Sequence, residues 1–273
     1  MHTGSTQYGA HEYSYVKHLQ SGSFGEVYEG HRTADGVRCA LKWLPVPKAE
    51  SMLRNKGSAV RPGDEVCILQ SLTHTNIVAL WCAHVTSATI LMVMELCAED
   101  LLQLLLRDGP LGRAASRTCV SELLCALAYL QTHRVAHRDV KLENLLLAAS
   151  PCQPGALKLG DFGIARHCDS LCGCTTHIGS ADYMAPEVQV HEGREYGFVC
   201  DIWSCGVVAY ACLTALPPYE EINYDSARRA GIVMPDERVD AGGWPHPCKF
   251  IRRCLVVSPA ERPCPTDLAE SLW

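Results

Sequence analysis

Asp139, Lys141, Asn144 and Asp161 are the residue types needed to hold a divalent cation against a polyphosphate beside a hydroxyl nucleophile. Asp139 is suited to accept the proton of an attacking hydroxyl. Lys141 would neutralise charge on the transferring group. Asn144 and Asp161 offer hard oxygen ligands of the kind Mg²⁺ prefers alongside phosphate and water. A lone His137-Arg138-Asp139 would be weak evidence. Followed by Lys141, Asn144 and then Asp161-Phe162-Gly163, it points to phosphoryl transfer.

Three further pieces lie upstream in the order such chemistry needs. The stretch 20–27 carries Gly22 and Gly25, where backbone N–H groups can approach phosphate oxygens closely. A glycine-bearing hairpin without any ligand is the plain alternative. Lys42 is a cation able to hold phosphates if something fixes its side chain, and Glu65 is the natural partner. Taken singly, each reads as easily as surface lysine or core-edge glutamate; their order together favours the site.

These side chains need a scaffold, and the patterning supplies one. Stretches 13–19, 26–31 and 37–43 read as strands, the last two joined by a turn bearing Asp35-Gly36. In 37–43, Val37, Cys39, Leu41 and Trp43 alternate with Arg38, Ala40 and Lys42, which puts the lysine on the face opposite Trp43. Residues 45–62 hold three prolines and are expected to be a mobile connection. Glu65, Ile68, Leu69 and Leu72 form one stripe of a helix over 64–72. Strands at 77–81 and 89–96 complete a five-stranded antiparallel lobe. Beyond Cys97 the pattern turns helical, at 113–133 and in the nearly all-apolar 200–213. Short strands at 145–148 and 157–159 flank a loop with Pro151 and Pro154, and the segment from Trp244 onward breaks into short helices.

Composition excludes several classes. The 273 residues can bury a core in two lobes around a cleft, with no tail left over. Thirty acidic against 24 basic residues, a formal charge of -6 and no long basic run argue against a nucleic-acid partner. No secretory signal or membrane-spanning stretch is visible, so a soluble, intracellular, monomeric protein is expected, in the cytoplasm and also in the nucleus. The 16 cysteines are read as free thiols, with Cys39, Cys67, Cys119, Cys125, Cys205 and Cys212 at core-like positions.

Together these residues resemble the eukaryotic protein kinases of serine/threonine type, from about Tyr15 to Trp273, after a short extension at 1–14. Cys39-Ala40-Leu41-Lys42 is similar to the family's VAIK strand, Ala185-Pro186-Glu187 to its APE, and residues 201–206 to its DxWSxG helix. The resemblance implies an α+β bilobal fold, with an N-lobe at 15–96 and a C-lobe at 97–273. It also implies ATP and Mg²⁺ as cofactors and protein substrates. ATP would contact Gln20, Gly22, Gly25, Val27, Ala40, Lys42, the gatekeeper Met94, Glu95, Cys97, Asp100 and Leu146. Asp201 would brace the catalytic loop, Arg262 would pair with Glu187, and Leu69, His137 and Phe162 would stack in an apolar spine. Lys141 after Asp139 implies Ser/Thr hydroxyls as acceptors. Subfamily features are mixed between NIMA-related and calcium/calmodulin-kinase types.

Two departures stand out. Gln20 replaces the first glycine of the phosphate loop, which implies weaker nucleotide binding. Residues 166–177 carry Cys168, Cys172, Cys174, His167 and His177, open to reading as an unoccupied activation loop, a redox switch or a zinc site. Arg138 and Arg166 are expected to form a basic pocket ordered by a phosphate on Thr176, with Thr175 as rival, placed there by an upstream activating kinase. A catalytically weak scaffold and a small-molecule kinase are the alternative functions. Glu143, Asp182 and Glu220-Glu221 suggest substrates with arginine or lysine upstream of the hydroxyl.

Overall fold

The computed structural model describes residues 5–8, 11–21, 25–55, 60–148, 153, 155–168, 174, 179–189, 195–216 and 245–273. Gly22, Thr175, Thr176, Cys172, His177 and Glu220-Glu221 lie outside them. The chain divides into two compact units, Met1–His74 with Val78–Cys97, and Thr75–Ile77 with Ala98–Trp273.

The first unit is built on a six-stranded antiparallel sheet: β1 (Ser5–Tyr8), β2 (His11–Ser21), β3 (Glu26–Arg32), β4 (Arg38–Pro45), β5 (Leu80–Val85) and β6 (Thr89–Met94), in the order β1-β2-β3-β4-β6-β5. Five of these are the strands expected from the pattern, and β1 adds an edge. The β3–β4 turn forms because Gly36 takes φ +73, a left-handed conformation that costs glycine little. Asp35 Oδ1 accepts from Val37 N at 3.2 Å. One face packs Tyr13, Cys39, Leu41, Leu91 and Val93 into a core, with Trp43 half-buried beside it. The other face of β4 carries Ala40, Lys42 and Leu44, opposite Met94, Met92 and Ile90 of β6, and is buried too.

The expected mobile connection at 45–62 is corrected. Val46–Asn55 is a helix, α1, with Ala49 and Leu53 buried one turn apart. Pro47 does not prevent it, because the first turn's N–H groups have no intrahelical acceptor to lose. Helix α2 (Asp64–Ser71) buries Glu65, Val66, Ile68 and Leu69. The strand expected at 77–81 begins later: Ile77 makes a parallel bridge to Leu159 in the second unit, and β5 starts at Leu80. Cys67 and Cys125 are exposed, against expectation, whereas Cys39, Cys119, Cys205 and Cys212 are buried; among the described residues no cysteine is in a disulfide.

The second unit is mainly helical: α3 (Leu101–Asp108), α4 (Arg113–Thr132), α5 (Pro186–Gln189), α6 (Cys200–Thr214), α7 (Pro245–Cys254) and α8 (Pro265–Glu270). Helix α6 is buried on nearly every side, as its apolar composition requires. Two small sheets frame the chemistry. Strand β7 (Glu99–Asp100) pairs with β9 (Leu145–Leu147), which pairs with β10 (Leu157–Leu159). Strand β8 (Val135–Ala136) pairs with β11 (Arg166–His167). The loop 137–144 therefore leaves β8 and enters β9, and Asp161-Phe162-Gly163 runs from β10 to β11, so both are tethered at each end. Among the described residues no helix is long and apolar enough to cross a membrane.

Candidate active site

In the first unit β4 and α2 bring Lys42 and Glu65 together, Nζ to Oε1 at 2.6 Å, with exposures of 7% and 3%. An ammonium this buried is retained only when paired. Register places Val27 opposite Lys42 and Met94 opposite Ala40, so four of the residues assigned to nucleotide contact sit on alternate rungs of the sheet. Gly25 is buried, and a Cβ there would lie 2.1 Å from the Trp43 carbonyl oxygen. The close approach of two backbones thus explains this glycine without any ligand. Gln20 is exposed and pairs with Val27. Glu95 exchanges two bonds with Ala79, its N–H donating to the carbonyl at 3.0 Å and its Oε1 accepting the amide at 2.7 Å. Cys97 is half-buried at the end of this unit.

In the second unit the loop 137–144 is shaped by Asp201, at the start of α6. Its two oxygens accept the backbone N–H groups of His137 and Arg138 at 2.8 Å each. Burial pushes the Asp201 carboxyl up, opposed by these donors and by the nearby His137 and Arg138 charges. The His137 ring bonds the Gly160 carbonyl at 2.9 Å and packs edge-on against Phe162 at 4.7 Å between centroids. Arg138 and Asp161 adopt φ of +68 and +56, strained values for residues other than glycine.

The catalytic candidates converge on Asp139. Asn144 Nδ2 donates to the Asp139 carbonyl at 2.8 Å and to its Oδ2 at 3.1 Å. Lys141 Nζ lies 3.0 Å from Oδ2. Ser180 donates to Oδ1 through its N–H at 3.0 Å and its hydroxyl at 2.9 Å, and accepts from Lys141 Nζ at 2.8 Å. With its amide nitrogen committed, Asn144 has its Oδ1 as the remaining acceptor. Together with the exposed carboxylate of Asp161, that is a hard-oxygen set that fits Mg²⁺. Asp100 and Leu146 are register partners in β7 and β9, and Asp100 also caps α3, accepting from Gln103 N at 2.9 Å. Further along, Arg262 grips Glu187 with two bonds of 2.5 and 2.6 Å.

Comparison with known proteins shows the family. Residues 13–273 match the family described as Protein kinase domain. The chain belongs to the protein kinase family. Serine/threonine-protein kinase 36 of Pongo abelii is 35% identical over 210 residues, 76% of this chain and 15% of that protein. Serine/threonine-protein kinase D2 of Homo sapiens is 35% identical over 237 residues, 84% and 25% of the two chains. Sucrose non-fermenting protein kinase 1 of Fusarium virguliforme is 30% identical over 267 residues, 96% and 36%. The chain thus spans between about a seventh and just over a third of the length of these curated relatives.

Within this kinase domain, Arg138 does not stand open as an empty pocket would. Its guanidinium donates to the Ile164 carbonyl at 2.7 Å and to the Tyr196 hydroxyl at 3.3 Å. Arg166 is half-buried on β11, opposite Ala136. The expected phosphate acceptor Thr176 and the loop residue Gly22 fall outside the described residues. Sequence reasoning passed over two contributors. Ser180 binds both Asp139 and Lys141, and nothing in its spacing marks it. Tyr196, which reaches Arg138 from a distant segment, carries no spacing signal at all.

Proposed function

We propose that the chain is an ATP-dependent protein serine/threonine kinase, transferring the γ-phosphoryl group of Mg-ATP to a protein hydroxyl. The observation that carries this reading is the convergence of Asn144, Lys141 and Ser180 on Asp139. An incoming Ser or Thr hydroxyl would give its proton to an Asp139 oxygen as its own oxygen attacks, and the ADP oxygen would leave. Lys141, fixed between Asp139 and Ser180, balances charge at that point. Lys42, oriented by Glu65, would hold the nucleotide's phosphates. Mg²⁺, held by Asn144 and Asp161, would supply charge neutralisation on the polyphosphate.

The acceptor-side preference rests on Glu143. Its Oε2 is buried without a hydrogen-bond partner among the described residues, and it lies close enough to Tyr183 to raise that phenol, after burial itself. A substrate arginine would satisfy this carboxylate, so peptides basic upstream of the hydroxyl are the expected class. Phosphorylation of Thr176 by an upstream kinase is the expected activating event. Gln20, in place of a phosphate-loop glycine, is the feature that favours a weakly turning-over scaffold instead. A degenerate Ser/Thr peptide library tests the reading: Glu143→Gln should flatten the selection for arginine, and Thr176→Ala should abolish stimulation by an activating kinase. Transfer to tyrosine peptides alone, or no nucleotide binding, would reject it.

A further inference from the structure

His18 and Ser21 stand three apart on β2, so on a regular strand their side chains would face opposite sides of the sheet. The register shows why they do not. His18 pairs with Tyr28 and Gln20 with Val27, so two steps along β2 match one along β3, and Leu19 is the extra residue of a bulge. The bulge returns Ser21, which pairs with Glu26, to the side that carries His18 and Tyr28. There three side chains meet. His18 Nε2 lies 2.6 Å from Glu26 Oε2, the Ser21 hydroxyl donates to the same oxygen at 2.7 Å, and Ser21 Oγ is 3.3 Å from His18 Nε2. The His18 ring also meets Tyr28 edge-on, at 5.1 Å between centroids.

None of the three is among the residues assigned to nucleotide contact, yet they lock the rungs that carry two of those. Val27 lies between Gln20 and Lys42 on one rung, whose side chains alternate to the other side of the sheet. The charges around the cluster point one way. Glu26 is held below the usual carboxylate range by the Ser21 bond first and the His18 bond second, and the exposed Lys48 of α1 adds a further positive charge near it. Tyr28 is the β3 group that faces the imidazole. Lys17 and Glu29 pair on the opposite side, where Arg38 binds Glu29 at 2.8 Å. With Glu26 ionised, the proton that comes and goes near neutral pH is the imidazole's. A neutral ring can donate one hydrogen bond to Glu26; only the cation adds charge, and charge-assisted bonds are the stronger.

We propose that His18, Ser21 and Glu26 are positioning residues for the nucleotide, a clasp across the stem of the stretch 20–27 that fixes Val27 beside Lys42 and tightens when His18 takes up a proton. A stem already fixed before ATP arrives lowers the ordering cost of binding, so the clasp offsets part of the loss expected of Gln20. For a pair this exposed the effect is modest, about two- to fivefold in affinity.

This inference rests on the kinase reading, and the test separates the two. Calorimetry measures binding of the non-hydrolysable analogue AMP-PNP with Mg²⁺ to the parent chain and to His18→Gln, at about pH 6 and about pH 8, on either side of the imidazole range. Comparing the two proteins at each pH cancels the titration of the nucleotide itself. The His18 and Glu26 side chains are 46% and 36% exposed, so substitutions there should leave the fold intact. The parent should bind about two- to fivefold more tightly than His18→Gln at the lower pH and nearly equally at the higher. Glu26→Gln should erase the same pH-dependent advantage, while Ser21→Ala should weaken binding alike at both pH values. In turnover the difference should appear in KM for ATP, with kcat of His18→Gln close to that of the parent. A loss in His18→Gln that is equal at both pH values, or one that falls on kcat, would overturn the proton-controlled clasp while leaving the kinase reading standing. A parent that bound no nucleotide at either pH would overturn both.

Discussion

Asp201 holds Arg138 in a left-handed conformation, φ +68, by accepting its backbone N–H at 2.8 Å with one oxygen while the other takes the N–H of His137. That fork turns the chain so that Asp139, the next residue, meets Asn144, Lys141 and Ser180. The strain of an αL residue is of order 1–3 kcal/mol and persists only where the surroundings over-determine it.

Asp201→Asn replaces one acceptor oxygen with an NH₂ group that faces a backbone donor. Loss of a charge-assisted bond costs about 1.5–3 kcal/mol, so the urea midpoint of the second unit should fall accordingly. The kinetic signature expected is a kcat lowered by roughly 10²-fold or more with little change in KM for ATP, since the damage is to Asp139 positioning. A variant that lost ATP affinity with kcat intact would contradict this role.

Arg262 is buried and binds Glu187 with both terminal nitrogens, lies 5.4 Å over the Trp203 ring, and donates to the Val256 carbonyl at 2.8 Å. Arg262→Ala strands the carboxylate of Glu187 and should destabilise the unit by about 3–5 kcal/mol. Arg262→Lys should recover only a small part, because a point charge cannot make the fork. Chemical unfolding of the two variants side by side measures it.

Two phenols set an alkaline limit. Burial, then contact with Cys82, pushes the Tyr13 hydroxyl from 10.0 to about 12. Burial likewise pushes Tyr196 from 10.0 to about 12. A raised folded value favours the neutral phenol in the fold, so this stability is fully present below pH 10 and is lost as pH rises towards 12. Unfolding curves on either side of pH 10 should show a shallower alkaline loss in Tyr13→Phe and in Tyr196→Phe than in the parent chain. Equal slopes would mean that the burial of these rings is not what limits alkaline stability.

What could be read from the chain was local and chemical. Asp139, Lys141 and Asn144 are close in sequence, Asp161 follows after one hairpin, and their types leave few other uses. The pairing of Glu187 with Arg262, far apart in the chain, was accessible only through the family resemblance. Helix α1 was hidden because Pro45, Pro47 and Pro62 outweighed the modest Ala49 and Leu53 spacing, and a proline in the first helical turn breaks nothing. Strand β5 starts later than the pattern suggests because Ile77 is buried with the second unit, where it bridges to Leu159, and not in the sheet. Gly25 looked like a phosphate-loop residue, and the Trp43 carbonyl gives it a second, structural cause. The pairing of Cys174 with Tyr196 joins separate segments, and no periodicity or spacing reports such a meeting.

The most direct test of the central claim is γ-phosphoryl transfer from Mg-ATP to Ser/Thr peptides by the parent chain and by Asp139→Asn. Removing a positioned base is worth typically 10²–10⁴-fold in rate. The account predicts transfer by the parent and a fall of that order in the variant, with ATP binding retained in both. Equal rates in the two proteins, or no transfer by the parent after treatment with an activating kinase, would contradict it.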